Sequence, residues 1–173
     1  MVLDIIPQSL YKLKIRTRQR RLKKAELNFR ARFVSIDDYL LSGNELALRY
    51  FERNKNPFIK LWEYHGLTPK CGSHSLYTYA AFLSLSEGEH ELQEKVRWVG
   101  GFYLSKQGNG HHAWLEKKVE DQWQAFETIP EMRDMPAQYS PWYTFQLVGE
   151  RAKVTSERTG GLLAIAVYGF PNS

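Results

Sequence analysis

The 173-residue chain predicts an α+β fold in which one helix packs on an antiparallel sheet, and three observations carry that expectation. A helix-like apolar run, Gly72 to Leu83, follows directly on Cys71. Three segments rich in β-branched and aromatic residues come next, Val96 to Ser105, His112 to Val119 and Gln122 to Ile129, separated by turn-forming residues. A composition that is 43% hydrophobic and 14% aromatic can fill a core, and the length suits one domain.

The elements follow in order. Lys12, Lys14, Arg16, Arg18 and Arg20 alternate with Leu13, Ile15, Thr17 and Gln19, a period of two that predicts an extended strand, continued by a helix over Arg21 to Arg32. Ser35 three residues before Asp38 marks a helix start. The apolar pattern after it, interrupted at Ser42-Gly43-Asn44, predicts one broken helix or two short ones before Asn56-Pro57. Phe58 to Pro69 leads into a helix opening at or just after Cys71. The three strand-like runs form an antiparallel meander, with Gly108-Asn109-Gly110 and Glu120-Asp121 as tight connections. Pro130 to Pro141 reads as an irregular stretch, Trp142 to Val154 as a further strand, and Gly161 to Phe170 as a strand or an apolar tail. This divides the chain into a basic N-terminal arm (1–33), a domain over 34–155 and a C-terminal strand or tail (156–173). No internal repeat is present.

Charge is unevenly placed. Tyr11 to Arg32 holds ten Lys or Arg against one acid, so this segment is +9 and the remainder −4 within a net +5. Such a block can contact nucleic acid or an acidic protein through Lys12, Lys14, Arg16, Arg18, Arg20 and Arg21, or it can be a solvated face. The single cysteine excludes an internal disulfide and a four-cysteine zinc site. No stretch approaches the roughly 18 apolar residues of a membrane span, and no signal segment is evident at the N-terminus, so the cytoplasm is the expected location.

Cys71, His112 and Glu127 are the parts of a cysteine nucleophile: a sulfur that can ionise, an acid/base, and a group that orients the ring. A helix opening at Cys71 presents unsatisfied N–H groups and the positive end of its dipole, which favour a thiolate there. Fifteen positions separate His112 from Glu127. Two strands of about seven residues joined by a two-residue turn bring such positions side by side across a hairpin.

A helix bearing a cysteine, then His112-Ala113-Trp114-Leu115-Glu116, then Gln122-Trp123-Gln124-Ala125-Phe126-Glu127-Thr128, resembles the transglutaminase-like superfamily, a papain-like α+β group. That group includes transglutaminases, bacterial transglutaminase-like cysteine proteinases and arylamine acetyltransferases. The likeness covers residues 62 to 130. It implies a papain/transglutaminase-like fold with Cys71 as nucleophile, His112 as acid/base and Glu127 in the position of the usual aspartate. Glutamate is one methylene longer, and Asp121 or Asp134 is an alternative orienting acid. The oxyanion donor is open among Trp62, Tyr64 and His65 together with backbone N–H groups at the helix start.

The function expected is a cysteine-dependent hydrolase, a peptidase or amidase working on a protein or peptide through a thioester. A transglutaminase or acyltransferase using an amine acceptor is one alternative, and a non-catalytic binding module using the basic arm is another. His111 should face away from His112 by strand alternation. His65, His74 and His90 have no assigned role, and Trp98, Trp114, Trp123 and Trp142 read as core or cleft walls. No ligand spacing for a metal is present, and no metal or other cofactor is expected.

Overall fold

The computed structural model describes residues 12–13, 15–20, 22, 35–53, 70–106, 108–133 and 136–156. Beyond a short N-terminal helical segment they form helices α1 (Ile36–Arg53), α2 (Lys70–Leu85) and α3 (His90–Gln93). Strands β1 (Val96–Ser105), β2 (Gly108–Val119), β3 (Gln122–Phe126), β4 (Ala137–Val148) and β5 (Arg151–Ser156) follow, with a 3-10 turn at Pro130–Met132. The fold is α+β, and the strands make one antiparallel sheet in the order β3-β2-β1-β4-β5. Among the described residues no helix is long and apolar enough to cross a membrane.

Helix α1 starts with a reciprocal cap: the Asp38 N–H donates to Ser35 Oγ at 3.2 Å and the Ser35 N–H to Asp38 Oδ2 at 2.8 Å. It runs unbroken through Ser42-Gly43-Asn44, where a break is expected from sequence. The reason is tertiary. A Cβ on Gly43 would lie 3.1 Å from both Phe82 N and Thr78 O of α2, so the glycine lets two helix backbones approach. Beside it the Thr78 hydroxyl donates to the buried Asn44 Oδ1 at 3.0 Å, so the polar residue is satisfied across the same contact.

Helix α2 is buried along nearly its whole length, and its polar side chains lock it onto the sheet. Ser75 Oγ donates to the Cys71 carbonyl at 2.7 Å and accepts from Trp98 Nε1 at 2.7 Å. The Leu147 N–H donates to the Tyr79 hydroxyl at 2.8 Å. Trp98 pairs with Phe145, which sets Leu147 two residues farther along β4. Tyr79 therefore lies level with Leu147 and Ser75 level with Trp98. Four helical residues advance about 6 Å and two strand residues about 6.7 Å, so Cys71 falls level with Gly100 of β1. The core between the layers joins Leu76, Tyr79, Ala80 and Phe82 of α2 with Trp98, Leu115, Phe126, Phe145 and Leu147 of the sheet, and extends to Leu40, Leu46 and Ala47 of α1.

Four further expectations are corrected. The described residues between 12 and 22 are helical, not extended. Ile15 and Leu22 enter the core and Arg18 lies over the Tyr77 ring at 5.1 Å, because positions three and four apart share one helical stripe. The segment expected to be irregular before Pro141 is largely strand, since β4 begins at Ala137. Pro141 is accommodated at a β-bulge, where the register passes from Gly100↔Tyr143 to Gly101↔Pro141 and leaves Trp142 as the extra residue. Gly108 to Gly110 belongs to β2, and the one strand expected over 142–154 is instead parts of two, turned at Gly149-Glu150 with Gly149 at φ 52°. Residues 157–173 lie outside the described residues.

Candidate active site

Cys71 occupies the first turn of α2, partly exposed. His112 is on β2 and Glu127 is the residue after β3. The paired part of β3 ends at Phe126 opposite Leu115, so the His112 part of β2 is not paired to β3. Continued by one residue, the register sets Glu127 opposite Trp114, diagonal to His112 and not beside it as the spacing alone suggests. The longer glutamate side chain covers that offset: Glu127 Oε2 is 2.7 Å from His112 Nε2, with the two residues 4% and 7% exposed.

The carboxylate is held on several sides. Glu127 Oε1 accepts the Ile129 N–H at 3.0 Å, and Oε2 also accepts the Tyr139 hydroxyl at 3.2 Å. Arg133 Nε donates to the Glu127 carbonyl at 3.3 Å. The alternative acid Asp121 has a side chain that is 99% exposed and pairs with Lys118, while Asp134 lies outside the described residues.

His112 is walled by aromatic rings: Trp114 stacks at 6.0 Å, Tyr103 lies at 5.1 Å and Tyr139 at 6.4 Å between centroids. Trp114 is in turn fixed by donating Nε1 to Glu116, which accepts Arg97 Nε at 2.7 Å. Burial by itself lowers the basicity of this imidazole. Hydrogen bonds with Cys71 and Glu127, and then the charges of both, outweigh it and raise the His112 pKa from 6.5 to about 9. With Nε2 engaged by Glu127, Nδ1 is the ring nitrogen left for the Cys71 sulfur. An imidazole between a thiol and a carboxylate can take the thiol proton, retain it as imidazolium and return it to a leaving group.

Two residues that the sequence reading did not single out belong here. Tyr139 supports Glu127, and its hydroxyl is pushed up by burial and by the neighbouring carboxylate. Tyr143 lies over Gly100, where a Cβ would be 2.1 Å from its Cζ, and its pKa is raised to about 12 by burial and by the Cys71 charge. Both sit on β4, whose placement next to β1 leaves no local sequence signal. His111 faces away from His112 as expected, against Phe102 and Trp142. Trp98 and Trp114 are fully buried, whereas Trp123 is partly covered by Arg97. The oxyanion candidates Trp62, Tyr64 and His65 lie outside the described residues, as do Lys14 and Arg21. Lys12 and Arg16 pair with Glu150 at the β4–β5 turn. Among the described residues no group of His, Cys, Asp and Glu is arranged to hold a metal ion.

Comparison with models of known families, with curated proteins and with solved structures finds no match.

Proposed function

We propose that this protein is a cysteine-dependent amide hydrolase of the papain-like, transglutaminase-like kind. The observation that carries the reading is the buried His112–Glu127 pair at 2.7 Å, set near enough to the partly exposed Cys71 thiol for that thiol to help raise the imidazole's pKa. The Cys71 thiolate attacks the carbonyl carbon of a peptide or protein amide, forming a C–S bond as the C=O electron pair moves to oxygen. The oxyanion collapses, the C–N bond breaks, and the His112 imidazolium gives its proton to the departing amine. Water then attacks the thioester as His112 takes its proton, which releases the carboxylic acid and restores the thiolate. Glu127 keeps the ring oriented and stabilises its charged form. Backbone N–H groups at the start of α2, with a side chain from Trp62, Tyr64 or His65, are the proposed oxyanion donors.

An amine in place of water would make the same array a transglutaminase or acyltransferase. Incubating the protein and its Cys71→Ala variant with a mixed peptide library plus a primary amine separates the two by product mass. Cys71-dependent cleavage supports hydrolysis, and amine adducts without cleavage would sink it. Products that persist in Cys71→Ala, or no products at all, would count against both. Recruitment of an acidic protein or nucleic acid by the basic segment ranks behind catalysis, because Lys12, Arg16 and Arg18 already have partners within the fold. A thiol nucleophile needs reducing surroundings, and the cytoplasm is the compartment this reading favours.

A further inference from the structure

We propose that the open shelf over Gly110, walled by Tyr103 and His112, receives the side chain of the substrate residue whose amine departs, and that it takes an aromatic or large apolar one. The proposal rests on the hydrolase reading above and adds the substrate class on the leaving side of the amide.

The placement follows from strand register. On β2, Trp114, His112 and Gly110 alternate onto one sheet face, and their β1 partners Val99, Gly101 and Tyr103 share it. Tyr103 also pairs with Tyr139 of β4, so the row through Tyr103 has a tyrosine on one side and a glycine on the other. The Tyr103 ring leans along the diagonal to His112, with centroids 5.1 Å apart and planes at 48°. Above Gly110 the face is open: among the described residues no atom lies within 4 Å of a Cβ built there. The neighbouring Gly101 differs, because Trp114 Cη2 would lie 2.8 Å from its Cβ and roofs it. Nor does β3 close the sheet edge at this point, since its pairing with β2 ends at Leu115. Gly110 is not among the glycines with positive φ, so neither its backbone nor a described neighbour calls for glycine. A strand glycine of that kind marks a place where another molecule can approach closely.

The reaction sets which part of the substrate lies there. His112 gives its proton to the departing amine, so that nitrogen comes within hydrogen-bond reach of the imidazole, about 3 Å. The side chain on the carbon next to it then falls on whatever neighbours the ring. Trp114 is fully buried and Glu127 nearly so, which closes those sides to a ligand. Tyr139 lies farther away at 6.4 Å, with its hydroxyl on Glu127 and its ring against Trp114 at 4.9 Å. The direction left is toward Tyr103 and Gly110, both only half-buried. There the substrate meets a phenol ring and the peptide planes of a glycine, flat surfaces that suit a planar side chain lying face to face or edge to face. Protonated His112 at one end of the shelf favours the face of an aromatic ring as well.

The test reads the leaving side in reverse, through amines that capture an acyl-enzyme. p-Nitrophenyl acetate acetylates the Cys71 thiolate, the C–S bond forming as p-nitrophenolate leaves. An amine or water then attacks the thioester carbonyl and gives a proton to His112 as the C–S bond breaks, yielding an N-acetyl amide or acetate and restoring the thiolate. Phenylalaninamide and glycinamide are supplied together at equal concentration, and their N-acetyl products are measured by mass after subtracting those formed with Cys71→Ala. The product ratio is divided by that from protein-free S-acetyl-N-acetylcysteamine, which removes the intrinsic reactivity of the amines. Being internal to each protein, it also cancels changes in thiol reactivity. The native protein should favour phenylalaninamide about fivefold or more, the order expected when part of a benzyl group leaves water. Gly110→Val, which fills the shelf with a residue suited to a strand, should bring the ratio to about two or less. Tyr103→Ala should lower it likewise, and Tyr103→Phe should retain most of it. A native ratio near one, a ratio undiminished in both Gly110→Val and Tyr103→Ala, or an acetyl-enzyme that neither amine captures overturns the subsite while leaving the nucleophile intact. The absence of any Cys71-dependent release of p-nitrophenolate overturns the nucleophile reading and the subsite with it.

Discussion

Replacing Glu127 by glutamine tests the buried pair at the centre of the site. Glutamine keeps the size of the side chain and a carbonyl oxygen able to accept from the Ile129 N–H, but it removes the charge that faces His112. Net of burial, the His112 pKa rises from 6.5 to about 9. At about 1.36 kcal/mol per pH unit this is roughly 3 kcal/mol favouring the charged ring in the folded state, shared between Cys71 and Glu127. Losing the Glu127 charge forfeits a part of it, on the order of 2 kcal/mol. A histidine whose folded pKa is raised contributes this stability in full below its unfolded pKa near 6.5, and loses it as pH rises through about 9. Glu127→Gln should therefore lower the unfolding free energy by about 2 kcal/mol at pH 6.5 and by less than about 0.5 kcal/mol at pH 10. Urea titrations followed by tryptophan fluorescence at the two pH values read this difference directly. Equal losses at both would mean that Glu127 acts through packing and neutral hydrogen bonds only, which would refute the charged pair.

Further outcomes bear on the scaffold. Gly43→Val should cost about 1 to 3 kcal/mol, because its side chain meets α2 backbone atoms that cannot move aside as a flexible side chain would; an unchanged urea midpoint would contradict the close helix contact. Gly100→Ala should displace the Tyr143 ring, and near-ultraviolet circular dichroism should change even if the fold persists, since the new Cβ would sit 2.1 Å from Tyr143 Cζ. Tyr139→Phe removes one donor to the Glu127 carboxylate and should cost about 1 to 2 kcal/mol at pH 7 in the same urea assay, with no loss at all counting against that bond.

The parts legible in the sequence were those governed by short-range spacing. Helix α2 with Cys71 at its start, strands β1 to β3 and the meeting of His112 with Glu127 all depend on residues within one element or one hairpin. The reciprocal cap of Ser35 and Asp38 was legible for the same reason. Ser42-Gly43-Asn44 looked like a break because its use is tertiary, a close approach and a buried hydrogen bond to a helix some 35 residues away. The basic segment was misread because alternating Lys and Leu fit a strand locally, whereas Ile15, Arg18 and Leu22 become a stripe only once a core exists to receive them. Pro141 argued against a strand until the bulge opposite Gly100 and Gly101 gave it a place. Tyr139 and Tyr143 were invisible for a related reason: only the strand order sets β4 beside β1, bringing one tyrosine to Glu127 and the other near Cys71.

The most direct test of the central claim is the rate of iodoacetamide alkylation of Cys71 against pH, in the native protein and in His112→Ala. With one cysteine in the chain, every adduct reports on this site. The imidazolium persists to about pH 9, so the native rate should be high at neutral pH and vary little between pH 6 and 8. In His112→Ala the rate at pH 6 should fall at least about tenfold and then climb steeply with pH, as for an ordinary thiol near 8.5. Identical profiles for the two proteins, both slow at pH 6, would contradict a thiol coupled to His112 and leave Cys71 a structural residue.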